Sequence, residues 1–170
     1  MTSTRPLRLT GYLAEPRILV FPKRLSLIKA LLSLAETVVE SGAILSPLEY
    51  YNELANQSSS RVALPQSDSG PAAKIYQVCS NSVKKLTAAV AICGEGVRSS
   101  DPDPYHLLVL LSASKHSGSP YLAVLTQVVR LLAPVASRKT LLESASPAAA
   151  WTALVQLESE ATSTSRALME

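Results

Sequence analysis

The chain contains 170 residues, enough for one domain that buries roughly 70% of the surface its unfolded form exposes. Hydrophobic residues make up 47% and charged residues 17% of the sequence, which excludes an intrinsically disordered protein. No apolar run approaches the roughly 18 residues that cross a bilayer, and no signal-peptide core follows Met1. We therefore expect a cytoplasmic protein without membrane insertion.

The net charge of +3 is small, and the 16 basic residues are scattered rather than interleaved with aromatic residues. This pattern does not favour nucleic-acid binding. Cys79 and Cys93 lack metal-ligand spacing, and the two histidines, His106 and His116, do not complete a metal site. We expect both cysteines to be small apolar residues in or beside strands, although their number alone permits a disulfide. No metal or organic cofactor is implied.

The first elements are a strand and a helix. Residues 17–21 form a β-branched and aromatic run between Pro16 and Pro22, which is typical of an edge strand. Apolar residues then recur at helical spacing over residues 27–38, and Gly42 lies where a helix stop is expected.

A second helix is predicted from its start signals. Ser46 precedes Pro47 and Glu49, the arrangement of an N-cap, a first-turn proline and an acid at the third helical position. The helix is expected to continue through Leu54. Residues 56–71 are rich in Ser, Gln and Pro and predict a loop, interrupted by the apolar residues 62–64.

The middle of the chain predicts buried strands. Residues 72–85 fit a short helix or a strand equally well. Residues 86–93 predict a buried strand that ends at Gly94-Glu95-Gly96, and residues 101–104 predict a turn. Residues 107–111 are a continuous apolar run and predict a central strand.

The last third predicts helices. After a loop over residues 112–119, apolar residues from Leu122 to Leu132 recur on one helical face. Two short helices are expected around residues 140–144 and 147–158.

Strands alternating with helices predict an α/β fold in which a small mixed sheet is covered by helices on both faces. We expect a single domain over residues 9–160, between an N-terminal tail (1–8) and a flexible C-terminal tail (161–170). Composition and periodicity do not identify a function.

The order of these segments resembles the IIA domain of the bacterial phosphotransferase system (PTS), of the fructose/mannitol and nitrogen-regulatory class. The resemblance extends from about Leu9 to Glu158. It rests on five segments, which are residues 12–18, 30–44, 62–65, 103–111 and 121–142. The resemblance implies the IIA fold and a site for a phosphoryl group.

In that family the phosphoryl group is carried by a histidine that directly follows a Leu-Pro or Ile-Pro pair. Here Leu64-Pro65 is followed by Gln66, whose amide nitrogen is neither a base nor a useful nucleophile. The resemblance aligns a second family histidine, which starts the long helix, with Tyr121. The family's glycine-containing stretch corresponds to residues 57–61, which contain no glycine. The resemblance therefore implies a degenerate active site.

The leading hypothesis is a IIA-like regulatory module of the nitrogen-regulatory type rather than an enzyme. Its partner would be a protein, either a PTS carrier or a regulated target. The degenerate site would contain Gln66, Tyr121, Ser59, Ser60 and Arg61. The alternative for the serines and Arg61 is an ordinary solvated loop.

Two other hypotheses remain open. His116, next to Lys115, is a candidate relocated phosphoacceptor, and the alternative is an ordinary exposed loop histidine. The scaffold is also compatible with a small-molecule or anion site in a cleft between residues 58–66 and 114–121. The sequence leaves open the partner, the pathway, the oligomeric state and whether Cys79 and Cys93 are close in space.

Overall fold

The computed structural model describes residues 8–56, 61–63, 70–100, 104–116 and 118–168. Within this part of the chain, six strands and five α-helices are present. The strands are β1 (Ile18–Phe21), β2 (Leu25–Ser26), β3 (Arg61–Ala63), β4 (Ala72–Cys79), β5 (Thr87–Arg98) and β6 (Tyr105–Ala113). The helices are α1 (Leu27–Glu40), α2 (Pro47–Asn56), α3 (Gly118–Leu132), α4 (Val135–Leu142) and α5 (Pro147–Ala167).

The strands form one mixed sheet in the order β1-β5-β6-β4-β3, and β2 pairs with the end of β5. β5 and β6 are antiparallel, whereas β1 is parallel to β5 and β4 is parallel to β6. β3 is antiparallel to β4. The strand predicted over residues 17–21 is confirmed as β1 and lies at an edge of the sheet.

Helices cover both faces of the sheet, as the sequence predicted. Along β6, Leu107, Val109 and Leu111 point to one face, and Leu108 and Leu110 point to the other, because successive side chains alternate in a strand. The first face packs against α3, α4 and α5, and the second packs against α1 and α2. Both faces of this central strand are therefore buried, which explains its continuous apolar run.

The predicted starts of α1 and α2 depend on serine caps. Ser26 Oγ accepts the main-chain N–H of Lys29 at 3.2 Å, and Ser46 Oγ accepts that of Glu49 at 3.4 Å. Gly42 follows α1 with a φ of +84°, a conformation that a residue without a Cβ adopts at little cost. The helix stop predicted at this glycine is confirmed.

The prediction that the strand over residues 86–93 ends at Gly94-Glu95-Gly96 is wrong. The strand is interrupted there but resumes, and Val97 lies opposite Tyr105. Gly96 has a φ of +88°, so the glycine allows a bulge in the strand rather than ending it. The ambiguous segment 72–85 contains strand β4.

Three boundaries in the last third differ from the prediction. β6 includes Ser112 and Ala113, which were assigned to a loop. α4 occupies residues 135–142 instead of 140–144, because Pro134 stands at its N-cap. α5 continues to Ala167, so the boundary placed after Glu160 falls inside a helix.

Cys93 lies within β5 and Cys79 ends β4, and both are free thiols. The prediction that they lie in strands is confirmed. Among the described residues, no single helix is long and apolar enough to cross a membrane. The pair Pro120–Leu132 and Val135–Leu142, bent by 86°, reaches that length and composition only when the two helices are taken together.

Candidate functional site

The candidate site lies where β4 and β6 end. The two strands are parallel, with Gln77 opposite Leu111 and Cys79 opposite Ala113, so their carboxyl ends meet at one edge of the sheet. The loop before α3 leaves the same edge. We call residues 77–79, 112–116 and Tyr121 the β4–β6 edge.

Tyr121 closes this edge on the face covered by α3. Its hydroxyl donates a hydrogen bond of 2.5 Å to Oε1 of Gln77. The ring is half-buried against the core on that face. Because a strand alternates its side chains, Gln77 points to the same side as Ala73 and Ile75, which places its amide under the first turn of α3.

Helix α2 reaches the edge from the opposite face. The Tyr50 hydroxyl and Ser112 Oγ form a buried hydrogen bond of 2.6 Å. One turn further along, a Glu53 carboxylate oxygen lies 3.9 Å from Lys115 Nζ. The Tyr50 contact is fixed by burial, whereas the exposed Lys115 contributes little through its ion pair.

The Cys79 thiol and the phenols of Tyr121 and Tyr50 are held in their neutral forms. Burial raises the pKa of the Cys79 thiol, and Lys115 lowers it only in part. Burial also raises the pKa of Tyr121, with Cys79 adding to the effect, and raises the pKa of Tyr50 to about 12. At pH 7 the thiol is protonated, and a thiol is a weaker nucleophile than a thiolate.

The two histidines lie in different places. His106 is at the start of β6, where its Nδ1 is 3.1 Å from the main-chain oxygen of Cys93. His106 is therefore a strand-end residue with an ordinary hydrogen bond. His116 is exposed in the turn after β6, and its main-chain N–H donates to Ser114 Oγ. The imidazole of His116 is therefore accessible at the β4–β6 edge.

Most of the predicted degenerate site falls outside this geometry. Gln66, Ser59 and Ser60 lie outside the described residues. The main chain of Arg61 pairs with Tyr76, next to Gln77, and β3 then runs toward the amino end of β4, where Ala63 lies opposite Lys74. Of the predicted group, Tyr121 and His116 are the residues that the structure places at the β4–β6 edge.

Gln77, the partner of Tyr121, is a site residue that the sequence did not predict. A signal was present, because Gln77 is a polar residue inside the run Lys-Ile-Tyr-Gln-Val-Cys. Since residues 72–85 were not assigned to a strand, no face was assigned to Gln77. The Tyr50–Ser112 bond had no local signal because 62 positions separate the two residues.

Exposed apolar side chains surround the edge. Leu122, next to Tyr121, is 62% exposed, and Leu48 in the first turn of α2 is 74% exposed. Leu45 is 64% exposed and is joined to the turn after β4, because its main-chain N–H donates to the Ser82 oxygen at 2.7 Å. Where such side chains form one contiguous patch, they mark a protein-binding surface.

The described residues at this edge do not form a metal site. No group of three His, Cys, Asp or Glu side chains with ligand geometry occurs in the part of the chain that the structure describes. A cavity of about 670 Å³ is present, but it lies beside β1, the outermost strand on the far side of the sheet from β4.

No protein-family model and no curated protein matches the sequence. Solved structures do match the fold. The nitrogen regulatory protein IIA-Ntr from Neisseria meningitidis gives a TM-score of 0.69 at 20% identity, over 85% of this chain and 97% of that chain. The chain has the fold of a PTS IIA domain.

Two structures from Escherichia coli agree with this IIA fold. IIA mannitol gives a TM-score of 0.65 at 17% identity, over 83% of this chain and 97% of that chain. A complex of enzyme IIA mannitol and phosphorylated enzyme IIB mannitol gives 0.66 at 18% identity, over 84% and 96% of the two chains. The IIA fold expected from the resemblance is confirmed, and at these identities the likeness concerns the fold.

Proposed function

We propose that this protein is a IIA-like regulatory module that binds another protein through the β4–β6 edge and carries no phosphoryl group there. The observation that supports this most directly is the contact between Tyr121 and Gln77. The family resemblance expects two neighbouring histidines, one of them at the start of the long helix. At that position the chain instead pairs a phenol with a carboxamide, and neither is a nucleophile at neutral pH.

The loss of a phosphoacceptor has an electrostatic consequence. A phosphorylated surface gains roughly two negative charges, which change the partners it accepts. With Gln66 and Tyr121 at the two positions where the resemblance expects histidines, the surface keeps one charge state. The module would thus present permanently the face of a dephosphorylated IIA domain.

A protein partner fits the surface better than a small molecule. Leu45, Leu48 and Leu122 expose apolar area, while Lys84, Lys85 and Lys115 supply exposed positive charge. The solved complex of IIA mannitol with phosphorylated IIB mannitol supports the same kind of partner. We propose that the partner is a PTS carrier or a regulated target, that the module acts in nitrogen regulation, and that it works in the cytoplasm as one domain.

Incubation with the upstream PTS proteins tests the proposal that this protein carries no phosphoryl group. The protein is incubated with phosphoenolpyruvate and these carriers, and histidine-bound phosphate is measured by mass spectrometry under conditions that preserve it. We expect no incorporation, while a competent IIA domain in the same mixture is labelled.

The second candidate function is tested in the same experiment. His116 is exposed at the β4–β6 edge beside Lys115, which favours it as a relocated acceptor. Label that disappears in His116→Gln but persists in His106→Gln would make the protein a phosphocarrier and overturn the regulatory proposal.

Binding of the partner protein is tested by placing charged residues at exposed apolar positions. The PTS carrier is titrated into the protein, and binding is measured by calorimetry. Leu48→Lys and Leu122→Lys should weaken binding by at least about tenfold, because each places a charge in the contact. Ile28→Lys, at a site that is 71% exposed on α1, is the matched control.

Gln66→Glu adds a negative charge at the position that the resemblance assigns to the phosphoacceptor. It should weaken the same binding if charge at that face governs partner choice. Equal affinities for the wild type and the Gln66→Glu variant would contradict this part of the proposal.

A further inference from the structure

A groove follows the outer edge of the sheet at β1, on the opposite side of the sheet from β4. Its volume is about 670 Å³, within the range of ligand pockets. All four residues of β1 and Pro22 line one side, together with Ile92 and Gly94 of the neighbouring strand β5. The connection between α4 and α5, from Leu142 to Pro147, lines another side. Consecutive strand residues point to alternate faces, so a groove lined by all of them runs along the main chain of the strand.

The main chain of β1 offers unused pairing capacity. β1 pairs with β5 along one side, with Ile18 opposite Val90 and Phe21 opposite Cys93. Within the described ranges, no strand pairs with its other side. An edge strand with free N–H and C=O groups is a template for another strand. Prolines at positions 16 and 22 limit that template to the few residues between them.

Exposed charges lie at the carboxyl end of β1 and on the α4–α5 wall of the groove. Exposed Lys23 and Arg24 directly follow Pro22 at the carboxyl end of β1. Glu95 lies beside them, since its carboxylate accepts the main-chain N–H of Arg24 at 3.0 Å, and Glu143 is exposed on the α4–α5 wall. The carboxyl end therefore carries two exposed cations against one carboxylate, which favours an acidic residue in whatever lies there.

We propose that the β1 groove binds an extended segment of a partner protein, which adds to the sheet as a strand beside β1. The segment carries alternating apolar side chains and an acidic residue next to Lys23 and Arg24. Strand addition of this kind draws affinity from main-chain hydrogen bonds and selectivity from alternate side chains. This site is separate from the β4–β6 edge, so its test is independent of the function proposed above.

The probe is a nine-residue peptide, acetylated and amidated, in which valine and threonine alternate between two terminal glutamates. Glutamate at both ends allows either strand direction. The peptide is titrated into the isotope-labelled protein, and amide chemical shifts are followed by NMR. We expect the largest shifts at Ile18–Phe21 and at residues 142–147.

Paired variants separate charge, shape and main-chain pairing. Lys23→Glu with Arg24→Glu should weaken binding by about fivefold or more, whereas Lys84→Glu with Lys85→Glu, the same charge change away from the groove, should not. Ala145→Trp should fill the groove and abolish binding, whereas Ala133→Trp, at another exposed position, should leave it unchanged.

A peptide with N-methylated amides cannot donate the hydrogen bonds of a strand, so it should not bind. Equal binding of the methylated peptide would overturn strand addition and leave contact through side chains. Shifts confined to other surfaces, or no binding at all, would also overturn the proposal. So would self-association through β1 in the absence of peptide, because the occupant would then be a second copy of the chain.

Discussion

Arg138 shows how one side chain joins distant parts of this fold. It is 1% exposed, and its guanidinium donates to the main-chain oxygens of Pro71, Leu132 and Ala133 at 2.6, 2.8 and 2.6 Å. The last two oxygens belong to the end of α3, whose carbonyls lack helical partners. Pro71 is the residue before β4, so Arg138 fixes the end of α3 to the start of the strand that carries Gln77.

Replacing Arg138 with methionine should lower the free energy of unfolding by about 3 kcal/mol or more. The reason is that three carbonyl oxygens lose their donor in an environment that water does not reach freely. Urea unfolding followed by circular dichroism measures the change. Arg130→Met, at an exposed position of α3, should change it by no more than about 0.5 kcal/mol. Equal losses in the two variants would contradict the role assigned to the buried guanidinium.

The role of a single residue could be predicted from the sequence where that role depends only on its near neighbours in the chain. Ser46 and Gly42 were predicted from helix-end chemistry, which needs only neighbours within a few positions. The contact of Arg138 with Pro71 and that of Gln77 with Tyr121 were not predicted, because they join residues that are 67 and 44 positions apart in the chain. No local pattern reveals a hydrogen bond between segments that meet only in the folded state.

The bulge in β5 is the feature that the local sequence pattern predicted wrongly. Two glycines within three residues indicate the end of a strand, and the sequence predicted that the strand ends there. In the fold the strand crosses the interruption and pairs again at Val97, because Tyr105 on β6 supplies a partner. The tertiary pairing outweighs the local preference of glycine for turns. The same competition explains why Ser112 extends β6: its hydroxyl is satisfied by Tyr50.

Gly96→Ala should destabilise the protein more than alanine at either of two other glycines. At Gly96 the φ is +88°, and a Cβ would lie 2.8 Å from the Cβ of Pro104, so conformational strain and a clash add. At Gly42 the φ is +84° with open space, so strain acts alone and costs about 1–2 kcal/mol. At Gly11 neither applies, and we expect no loss.

The three alanine variants are compared by thermal unfolding, and the predicted order of stability is Gly11, then Gly42, then Gly96. A Gly96 variant as stable as the Gly42 variant would show that Pro104 moves aside at no cost.

For the whole molecule, the buried titratable groups predict sensitivity to alkali. Burial raises the pKa of Cys93 to about 12 from an ordinary 9, and that of Tyr50 to about 12 from 10. At a pH between the ordinary pKa of each group and its raised pKa in the fold, the unfolded chain has lost a proton that the folded chain retains. Stability therefore falls as pH rises above about 9, by about 1.4 kcal/mol per pH unit for each such proton.

Urea unfolding at pH 7, 9, 10 and 11 measures this fall. Cys93→Ala removes one of the groups and should make the decrease between pH 9 and 11 less steep. Val78→Ala, which also shortens a side chain in the same core, should lower stability at every pH with an unchanged slope. Parallel curves for wild type and Cys93→Ala would contradict the assignment of the lost proton to Cys93.

The architecture could be predicted from the sequence because alternating strands and amphipathic helices restrict the layers that can form. Strand order could not, since β1 pairs with β5 and β4 with β6 across intervening elements. The candidate site depended on that order, because the parallel ends of β4 and β6 bring Gln77 near the helix that begins with Tyr121. The family resemblance predicted Tyr121 as a site residue, whereas its partner Gln77 could be identified only from the strand order.

The distance between β1 and β5 along the chain also affects how the protein is made. Val90 is translated 72 residues after Ile18, its partner in the sheet. At typical elongation rates of 5–20 residues per second, β1 waits about 4 to 15 s for β5 to be synthesised. During that interval the Ile-Leu-Val-Phe run has no partner strand and can pair with other nascent chains. The prolines on each side shorten the segment able to do so, which makes them gatekeepers against aggregation during synthesis.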